Sequence, residues 1–342
     1  MKFGLFHSVQ WPEGSDQRQR YREGLEEAIH AEEVGFESVW LTEHHFSRHG
    51  IVSDSLNVLS HLAARTTNLR LGTAVAVLPF HDPVRLAEAA ATVDVLSNGR
   101  LDFGVGRGYQ WGEFHGFGVP MEERADRFEE SIDLIQRSWD AREPFAHEGR
   151  FWRYGDIDPQ PKPVQRPRPP IWVATDSEEG LRRCAEEDWG VMLPQGRSMD
   201  VVGEQVGRYR KVLAEAGKPF NAEKILLARA LYVAPSDEQA WADAGDAYIR
   251  FRELATKLAA SPQGKQLAHN PFDHDSLRDA VVFGGPETCL SMLRRIEELG
   301  IQQVIFFVHF GGLAHEKIMA SMDRFAAEVV PLLRKAGTAT AR

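Results

Sequence analysis

The segment WLTEHHFSRHG, residues 40–50, contains Glu43, His44, His45 and His49, and it first suggests proton-transfer chemistry. Histidine suits this chemistry because its ordinary pKa of about 6.5 lets it gain and lose a proton near neutrality. For Glu43 and His45, a direct part in proton transfer and a structural part in orienting the loop are both open. His49 is interpreted as loop surface.

A metal centre is less favoured in this segment. Side chains that are adjacent on an extended chain point to opposite sides, so one ion cannot easily take both neighbouring histidines. The segment has no H-E-x-x-H helix motif. A metal site would need His7, His81 or His115 to converge here. We therefore predict no metal, and a metal-dependent hydrolase is the least favoured function.

Two other segments could bind an anion together. The segment GVGRGYQWG, 104–112, has the spacing G-x-G-x-G and continues into an aromatic loop, so it lacks the helix that a dinucleotide fingerprint requires. Arg107 either reaches an anion or lies on the surface of a turn. Thr175, Asp176 and Ser177 stand where a strand ends and a helix starts, and free N–H groups there can bind an anion. Alone, they indicate N-capping; together with Arg107, they predict an anion pocket.

A run of small residues, GTAVAVLP at 72–79, lies in a central strand. Ala74 and Val75 would let a planar ring lie against the chain. A buried parallel strand explains the valines and leucine well, but it explains the Gly-Thr-Ala start less well.

These segments follow a regular pattern of short apolar runs and amphipathic helical stretches. The predicted strands are Phe3–His7, Ser38–Leu41, Leu69–Val77, Leu101–Gly106, Pro170–Ala174, Gly190–Pro194, Ile225–Val233 and Gln303–Val308. The predicted helices are 17–34, 54–66, 83–96, 121–140, 178–187, 199–216, 236–258, 286–299 and 315–334. This alternation is typical of a (β/α)8 barrel or a large doubly wound sheet.

The polar residues favour the barrel, because they follow the predicted strands at their carboxyl ends, where barrels place their chemistry. We therefore expect one site built from several loops. The irregular segments at about 142–169 and 259–283 are predicted as insertions after strands 4 and 7 that serve as functional loops or lids. Residues 1–336 are expected to form a single domain, followed by a flexible tail at 337–342.

Composition excludes several classes of partner. The formal net charge is −10, and the sequence has no Lys/Arg block with interleaved aromatic residues. A nucleic-acid-binding surface is therefore not expected. No stretch reaches the roughly 20 apolar residues that a membrane span needs, and the first residues do not resemble a secretory signal. The only cysteines, Cys184 and Cys289, provide neither a disulfide framework nor a Cys-based zinc site. The cytoplasm is the expected compartment.

Several motifs resemble the bacterial luciferase-like superfamily of flavin-dependent monooxygenases, and most of all its luciferase alpha chain. These motifs are MKFGLF, GFESVWLTEHHF, LGTAVAVLP followed by HDPVRLAE, NGRLDFGVGRG, EFHGFG, FGGPETCL and IMASMDRFAAEVVPLL. The resemblance implies a (β/α)8 TIM barrel that uses reduced FMN (FMNH2) and O2, through a flavin peroxide, to oxygenate a small organic substrate. It also implies a homodimer formed through the helix at 83–96. Because no nicotinamide fingerprint is evident, a separate NAD(P)H flavin reductase is expected to supply the reduced flavin.

The resemblance also implies roles for individual residues. His44 matches the catalytic base, with Glu43 or His45 steadying it. The bond Ala74–Val75 matches a non-proline cis peptide behind the flavin ring, and Arg107 matches the arginine that holds the FMN phosphate. The second phosphate-binding segment corresponds to Thr175, Asp176 and Ser177, and an acidic residue that influences flavin binding corresponds to Glu113. The substrate is expected to contact His7, Tyr109, Trp111 and Phe114.

The chain also departs from the luciferase pattern. Gly106 stands where luciferase has a cysteine, and Thr175-Asp176 replaces a Glu-Ser pair. The resemblance therefore implies a monooxygenase of the luciferase-like alkanal monooxygenase type, and it leaves light emission and long-chain aldehyde specificity open. The alternatives are a deazaflavin- or FMN-dependent hydride-transfer enzyme and a non-catalytic flavin-binding subunit. EHHF argues against hydride transfer, and retention of His44 and Arg107 argues against the subunit.

Overall fold

The computed structural model describes residues 1–259 and 272–339, which fold around a parallel β-barrel. The strands are β1 (Lys2–His7), β2 (Ser38–Leu41), β3 (Arg70–Thr73), β4 (Ala76–Val77), β5 (Leu101–Gly106), β6 (Phe145–Glu148), β7 (Arg153–Ile157), β8 (Ile171–Ala174), β9 (Gly190–Leu193), β10 (Ile225–Val233), β11 (Val281–Gly284) and β12 (Gln303–Phe307). Eight of them form the barrel in the order β1, β2, β3, β5, β8, β9, β10, β12, and β12 pairs again with β1. The predicted (β/α)8 TIM barrel is confirmed.

Helices surround the barrel. They are α1 (Gln17–Glu33), α2 (Ser55–Ala63), α3 (Pro83–Leu96), α4 (Trp111–Phe117), α5 (Arg124–Asp140), α6 (Glu178–Glu186), α7 (Met199–Glu215), α8 (Asp237–Ala259), α9 (His274–Leu277), α10 (Pro286–Glu298), α11 (His315–Arg324) and α12 (Val330–Ala339). Residue types that favour helix starts begin two of these helices. The side chain of Asp54 accepts a backbone N–H in the first turn of α2, and that of Ser177 accepts one in the first turn of α6. Within the described residues, no helix is both long enough and apolar enough to cross a membrane.

The structure corrects several details of the expected pattern. The segment after Gly108 is not only an aromatic loop, because α4 begins at Trp111. The predicted irregular segment at 142–169 contains the antiparallel hairpin of β6 and β7. In the other predicted insertion, residues 260–271 lie outside the described part of the chain, while β11 adds a parallel strand beside the second half of β10.

Two tryptophans fill the inside of the barrel and explain two of its glycines. Trp40 and Trp172 are buried and meet edge to face, with ring centroids 5.8 Å apart. A methyl group on Gly72 would overlap the Trp40 ring, and one on Gly190 would overlap the Trp172 ring. The glycine at 72 therefore makes room for an indole of the protein itself, a reason that the sequence interpretation of this stretch did not contain.

One helix, α8, crosses the carboxyl end of the barrel. Arg250 donates from Nη2 to the Gly311 carbonyl after β12 at 3.2 Å, and Arg252 donates from Nη1 to the Gln195 carbonyl after β9 at 3.3 Å. Between them, Phe251 stacks on His49 of the loop after β2, with ring centroids 5.0 Å apart. The helix thus connects the loops after β2, β9 and β12 at this end of the barrel.

Candidate active site

His44 lies in a pocket at the carboxyl end of β2. Its backbone N–H donates to the Val52 carbonyl at 3.0 Å, and only 8% of the residue is exposed. Its ring has an edge-to-face contact with His49, at 5.0 Å between centroids, and another with Tyr109 at 6.4 Å. The ring is therefore held by its surroundings but lies next to a tyrosine that is 53% exposed.

The hydrogen bonds of His44 define which nitrogen is available for chemistry. Its Nδ1 lies 3.0 Å from Oε1 of Glu113, and the same oxygen accepts the backbone N–H of His45 at 3.0 Å. A carboxylate only accepts hydrogen bonds, so the shared proton belongs on Nδ1 of His44. The amide nitrogen Nε2 of Gln110 is also placed 3.0 Å from Nδ1, so a proton on Nδ1 requires the amide to turn and present its oxygen there. In the neutral ring, Nε2 keeps its lone pair and can accept a proton.

Glu43 and the ring of His45 lie in a different network. Glu43 accepts hydrogen bonds from Nε2 of His45 at 3.0 Å, from Nε2 of His81 at 2.8 Å and from the backbone N–H of Val77 at 3.1 Å. Burial acts to raise the pKa of the Glu43 carboxyl, but these hydrogen bonds hold it below its ordinary value. The contacts of Glu43 favour the structural role, because they attach the loop after β2 to the segment that follows β3.

That segment contains the bond between Ala74 and Val75, which is cis. Thr73, just before it, donates from its hydroxyl to the Gly104 carbonyl at 2.6 Å. A Cβ atom on Gly106 would lie 2.6 Å from Cγ2 of Val75, so the absence of a side chain at 106 permits this close approach. A cysteine at this position, as in luciferase, would meet the same Val75 side chain.

The two predicted anion-binding segments meet. Arg107 donates from Nη2 to the Ser177 hydroxyl at 2.8 Å, and the Thr175 hydroxyl lies 3.2 Å from the same oxygen. The backbone N–H of Gly180, in the first turn of α6, also points at Ser177, at 3.2 Å. Asp176 is exposed, and its carbonyl accepts from Arg208 at 3.0 Å. A guanidinium, two hydroxyls and a helix start suit an anion such as a phosphate.

The structure separates the four residues that were expected to contact the substrate. Tyr109 lies beside His44, as described above. Trp111 is half-buried and stacks on His115, with centroids 4.7 Å apart. Phe114 is 1% exposed and packs against Phe80, and His7 is 1% exposed. Both side chains are enclosed by protein, since Phe114 of α4 packs on Phe80 and His7 is bonded to Glu27 of α1, and their contact with substrate stays a prediction.

His7 belongs to a buried network centred on Glu27 of α1. Glu27 accepts from Nε2 of His7 at 2.7 Å, from Nδ1 of His309 at 3.1 Å and from Nδ1 of His315 at 2.9 Å. Burial acts to raise the pKa of the Glu27 carboxyl, but the three histidines hold it well below its ordinary value. The hydrogen bond to Glu27 raises the pKa of His315.

Three residues of this network could in principle share a metal ion. The potential ligand atoms of His7, Glu27 and His309 lie within 4.8 Å of one another. The backbone N–H of Val9 donates to Nδ1 of His7 at 2.9 Å, which places the ring proton on Nε2. A metal on Nε2 would move that proton to Nδ1, opposite the Val9 N–H. The Nε2 atom of His309 similarly faces the Arg20 guanidinium at 3.5 Å. The donor pattern therefore fits a shared-proton network better than a metal site.

His49 is the residue that the sequence interpretation placed wrongly. It is only 3% exposed, lies between His44 and Phe251, and has an Nδ1 atom with no hydrogen-bond partner among the described residues. Burial, and to a lesser extent the neighbouring His44, lowers the pKa of His49 to about 3. Its signal in the sequence was only its nearness to the two other histidines, because the aromatic partner comes from a helix some 200 positions later.

Comparison with known proteins identifies the family. The model of the family "Luciferase-like monooxygenase" matches residues 1–303. The chain belongs to this family. The oxygenase component of a flavin-dependent trigonelline monooxygenase from Acinetobacter baylyi is 29% identical over 345 residues, which cover 97% of this chain and 95% of that protein. With the other monooxygenases among its relatives, this makes the chain a flavin-dependent monooxygenase.

Solved structures of the luciferase-like fold superimpose over almost the whole chain. The monooxygenase RslO1 from Streptomyces bottropensis has a TM-score of 0.86 at 29% identity, covering 97% of this chain and 99% of that one. The oxygenating constituent of 3,6-diketocamphane monooxygenase from Pseudomonas putida, in complex with FMN, has a TM-score of 0.82 at 20% identity, covering 97% and 98%. An F420-dependent secondary alcohol dehydrogenase has a TM-score of 0.77 at 19% identity, covering 97% and 99%. The fold is therefore shared by enzymes with different cofactors.

Proposed function

We propose that this luciferase-like protein uses FMNH2 and O2 to add one oxygen atom to a small organic substrate. The observation that carries the proposal is the presence, at one end of the barrel, of an anion cradle and a histidine with a free ring nitrogen. The cradle consists of Arg107, Thr175 and Ser177, and the histidine is His44. Such a reaction requires the protein to bind the phosphate of FMNH2 and to transfer protons.

FMN fits the residues that are present. Its phosphate would be held by Arg107 and by the hydroxyls of Thr175 and Ser177, at the start of α6. Its ring would lie against Ala74 and Val75, whose close approach to β5 is permitted by Gly106. Glu113 would act through His44, because its carboxylate contacts that ring. The FMN in the related barrel of 3,6-diketocamphane monooxygenase supports this choice.

His44 would transfer the protons of the reaction. When bound, reduced FMN supplies the two electrons with which one oxygen atom of O2 enters the substrate and the other enters water. The Glu113 carboxylate keeps a proton on Nδ1 of His44, so Nε2 takes up and returns protons without a change of ring orientation. Glu43 and His45 would hold the loop that carries His44, and Tyr109 and Trp111 remain candidate substrate contacts.

Two partners complete the proposal. A separate NAD(P)H-dependent reductase would supply FMNH2, and the related trigonelline monooxygenase, whose matching chain is an oxygenase component, supports this arrangement. A second copy of the chain would pack on α3, whose last residues Val95 and Leu96 are 42% and 62% exposed. Exposed apolar side chains on an alanine-rich helix suit the close approach of another helix.

The proposal is tested by mixing anaerobic protein and FMNH2 with oxygenated buffer and recording the absorbance of oxidised FMN. We expect oxidation that is clearly slower than that of free FMNH2, because the site encloses the cofactor and limits proton transfer to His44. The same experiment with reduced F420 serves as the comparison for hydride-transfer enzymes. Oxidation of FMNH2 at the free rate, together with no measurable FMNH2 binding, would contradict the proposal.

Two substitutions separate the roles in this assay. His44→Ala should reduce substrate oxygenation by at least about a hundredfold, the usual contribution of a general acid or base, and leave the dissociation constant of FMN within about threefold of wild type. Arg107→Gln should weaken FMN binding by about tenfold or more, as expected for loss of a charged phosphate contact. His61→Gln, on the exposed face of α2, is the matched surface control.

A further inference from the structure

A cation on the helix that crosses the barrel mouth has no carboxylate partner. Arg252 is half-buried, its Nη1 donates to the Gln195 carbonyl at 3.3 Å, and its guanidinium lies over the Phe272 ring, 5.0 Å from the ring centroid. In that part of the chain no Asp or Glu forms an ion pair with it. The omitted residues 260–271 and 340–342 contain no Asp or Glu either. Among the described residues, the guanidinium of Arg252 therefore has a carbonyl and an aromatic ring as neighbours but no carboxylate to balance its charge.

The backbone around Arg252 leaves room for its guanidinium. Gly196, in the loop after β9, has a φ of +74°, and a side chain there would overlap the Arg252 guanidinium. The neighbouring Gln195 has an Oε1 atom that is buried and has no hydrogen-bond partner among the described residues. An unsatisfied buried polar atom costs free energy unless something binds to it. This atom is an acceptor and cannot bind another acceptor, so the guanidinium of Arg252 is the group here that can bind an anion.

Arg252 lies on the side of the mouth where His44 is found. The preceding residue, Phe251, stacks on His49, which is 5.0 Å from the His44 ring. Burial raises the pKa of the Tyr109 phenol, and the charge of Arg252 opposes this effect. Since Tyr109 is 6.4 Å from the His44 ring, Arg252 acts electrostatically on the pocket where oxygenation is proposed.

The phosphate cradle has its own cation. Arg107 is bonded to Ser177 and lies between the ends of β5 and β8, whereas Arg252 is bonded to the loop after β9. We propose that Arg252 binds an anionic group of the substrate, so that the substrate class is small organic carboxylates. The planar guanidinium matches the two oxygens of a carboxylate. This inference rests on the proposed function for the reaction, but the binding site can be tested without it.

The test measures binding of benzoate and of benzamide to the full-length protein by calorimetry. The two probes share shape and differ in charge. We expect benzoate to bind about tenfold more tightly than benzamide, as expected for a charge-assisted contact. Arg252→Gln should remove this preference. Arg250→Gln is the matched control, because Arg250 is exposed on the same helix and donates to the Gly311 carbonyl at 3.2 Å.

The inference is overturned if acid and amide behave alike in the wild-type protein, whether both bind or neither does. It is also overturned if the Arg252→Gln variant keeps the preference for benzoate. A third contrary result would be that Arg252→Gln weakens FMN binding as much as Arg107→Gln does, because Arg252 would then be a ligand of the cofactor. The proposed function fails separately. Free-rate oxidation of FMNH2, combined with an intact benzoate preference, would leave a carboxylate site on a protein with a different reaction.

Discussion

At the scale of single residues, the adjacent histidines His44 and His45 have different contacts, because successive side chains of an extended chain point to opposite sides. His44 contacts Glu113, whereas the ring of His45 contacts Glu43, although the two residues are neighbours. The resemblance selected His44 as the base, and its geometry is compatible with that role. His49 was taken for surface, because its burial depends on Phe251 and not on its own surroundings in the chain.

His49 should make the protein sensitive to acid. Its pKa is lowered from about 6.5 in the unfolded chain to about 3 in the folded one. Between these two pH values, His49 binds a proton in the unfolded chain but not in the folded chain. The free energy of unfolding therefore decreases as the pH falls below about 6.5, by up to about 1.4 kcal/mol per pH unit. His49→Phe, which can retain the stack on Phe251, should reduce this loss in urea unfolding measured at about pH 7 and about pH 5.

The exposed His61 on α2 provides the comparison. His61→Gln should leave the difference in unfolding free energy between the two pH values equal to that of wild type. A His49→Phe variant that loses as much stability in acid as wild type would show that His49 does not titrate in this way.

At the scale of elements, the hydrophobic pattern predicted the barrel strands and most helices, but it failed where glycines and aromatic residues mix. The helix α4 was missed because its sequence, WGEFHGF, contains two glycines and resembles a loop. Yet α4 supplies Glu113, which positions His44. The role of α8 as the helix that covers the mouth was also not evident, because its contacts are with loops far away in sequence.

Gly72 in β3 provides a test of packing inside the barrel. Gly72→Ala would place a methyl group in the space of the Trp40 ring, and the buried ring has little freedom to move. We expect a loss of about 1–3 kcal/mol in the free energy of unfolding, as is typical of overpacked cores. Urea unfolding followed by tryptophan fluorescence measures it.

Gly112 in α4 is the matched control, since no atom lies within 4 Å of a Cβ built there. Gly112→Ala should be neutral or stabilising by up to about 1 kcal/mol, because alanine favours the helix. Equal stability of the two variants would show that the barrel interior adjusts to the added methyl group.

At the scale of the whole molecule, the barrel closes where the first strand meets the last one. Phe3 to Phe6 of β1 pair with Val304 to Phe307 of β12. Glu27 reinforces this closure, because its carboxylate joins His7 at the end of β1 to His309 after β12. The network lies beside the closure and outside the His44 pocket, so its expected effect is on stability.

Glu27→Gln should destabilise the fold strongly. Removing one member of a buried charged network costs about 3–5 kcal/mol, because the three histidines lose the carboxylate that accepts their hydrogen bonds. The pKa of the Glu27 carboxyl is well below its ordinary value. Its stabilising effect is therefore present above the unfolded pKa of about 4.3 and is lost as the pH falls below it. Urea unfolding at about pH 7 measures the loss.

Glu26→Gln is the control for this change. Glu26 is 52% exposed at its side chain and lies 3.4 Å from His315, so its removal should cost less than about 1 kcal/mol. If Glu27→Gln were no more destabilising than Glu26→Gln, the buried network would not contribute to closure of the barrel.

The sequence by itself determined the barrel class, the ends of most elements and, through the EHHF and GRLDFGVGRG motifs, the candidate flavin site. Hydrophobic periodicity and caps act over a few residues, so these features can be recognised locally. Only the tertiary structure decided that His7 and Phe114 are enclosed, that His49 is buried beside His44, and that Arg252 is bonded to the loop after β9. Burial and hydrogen bonding of a side chain depend on residues that are distant in the chain, and folding brings those residues together.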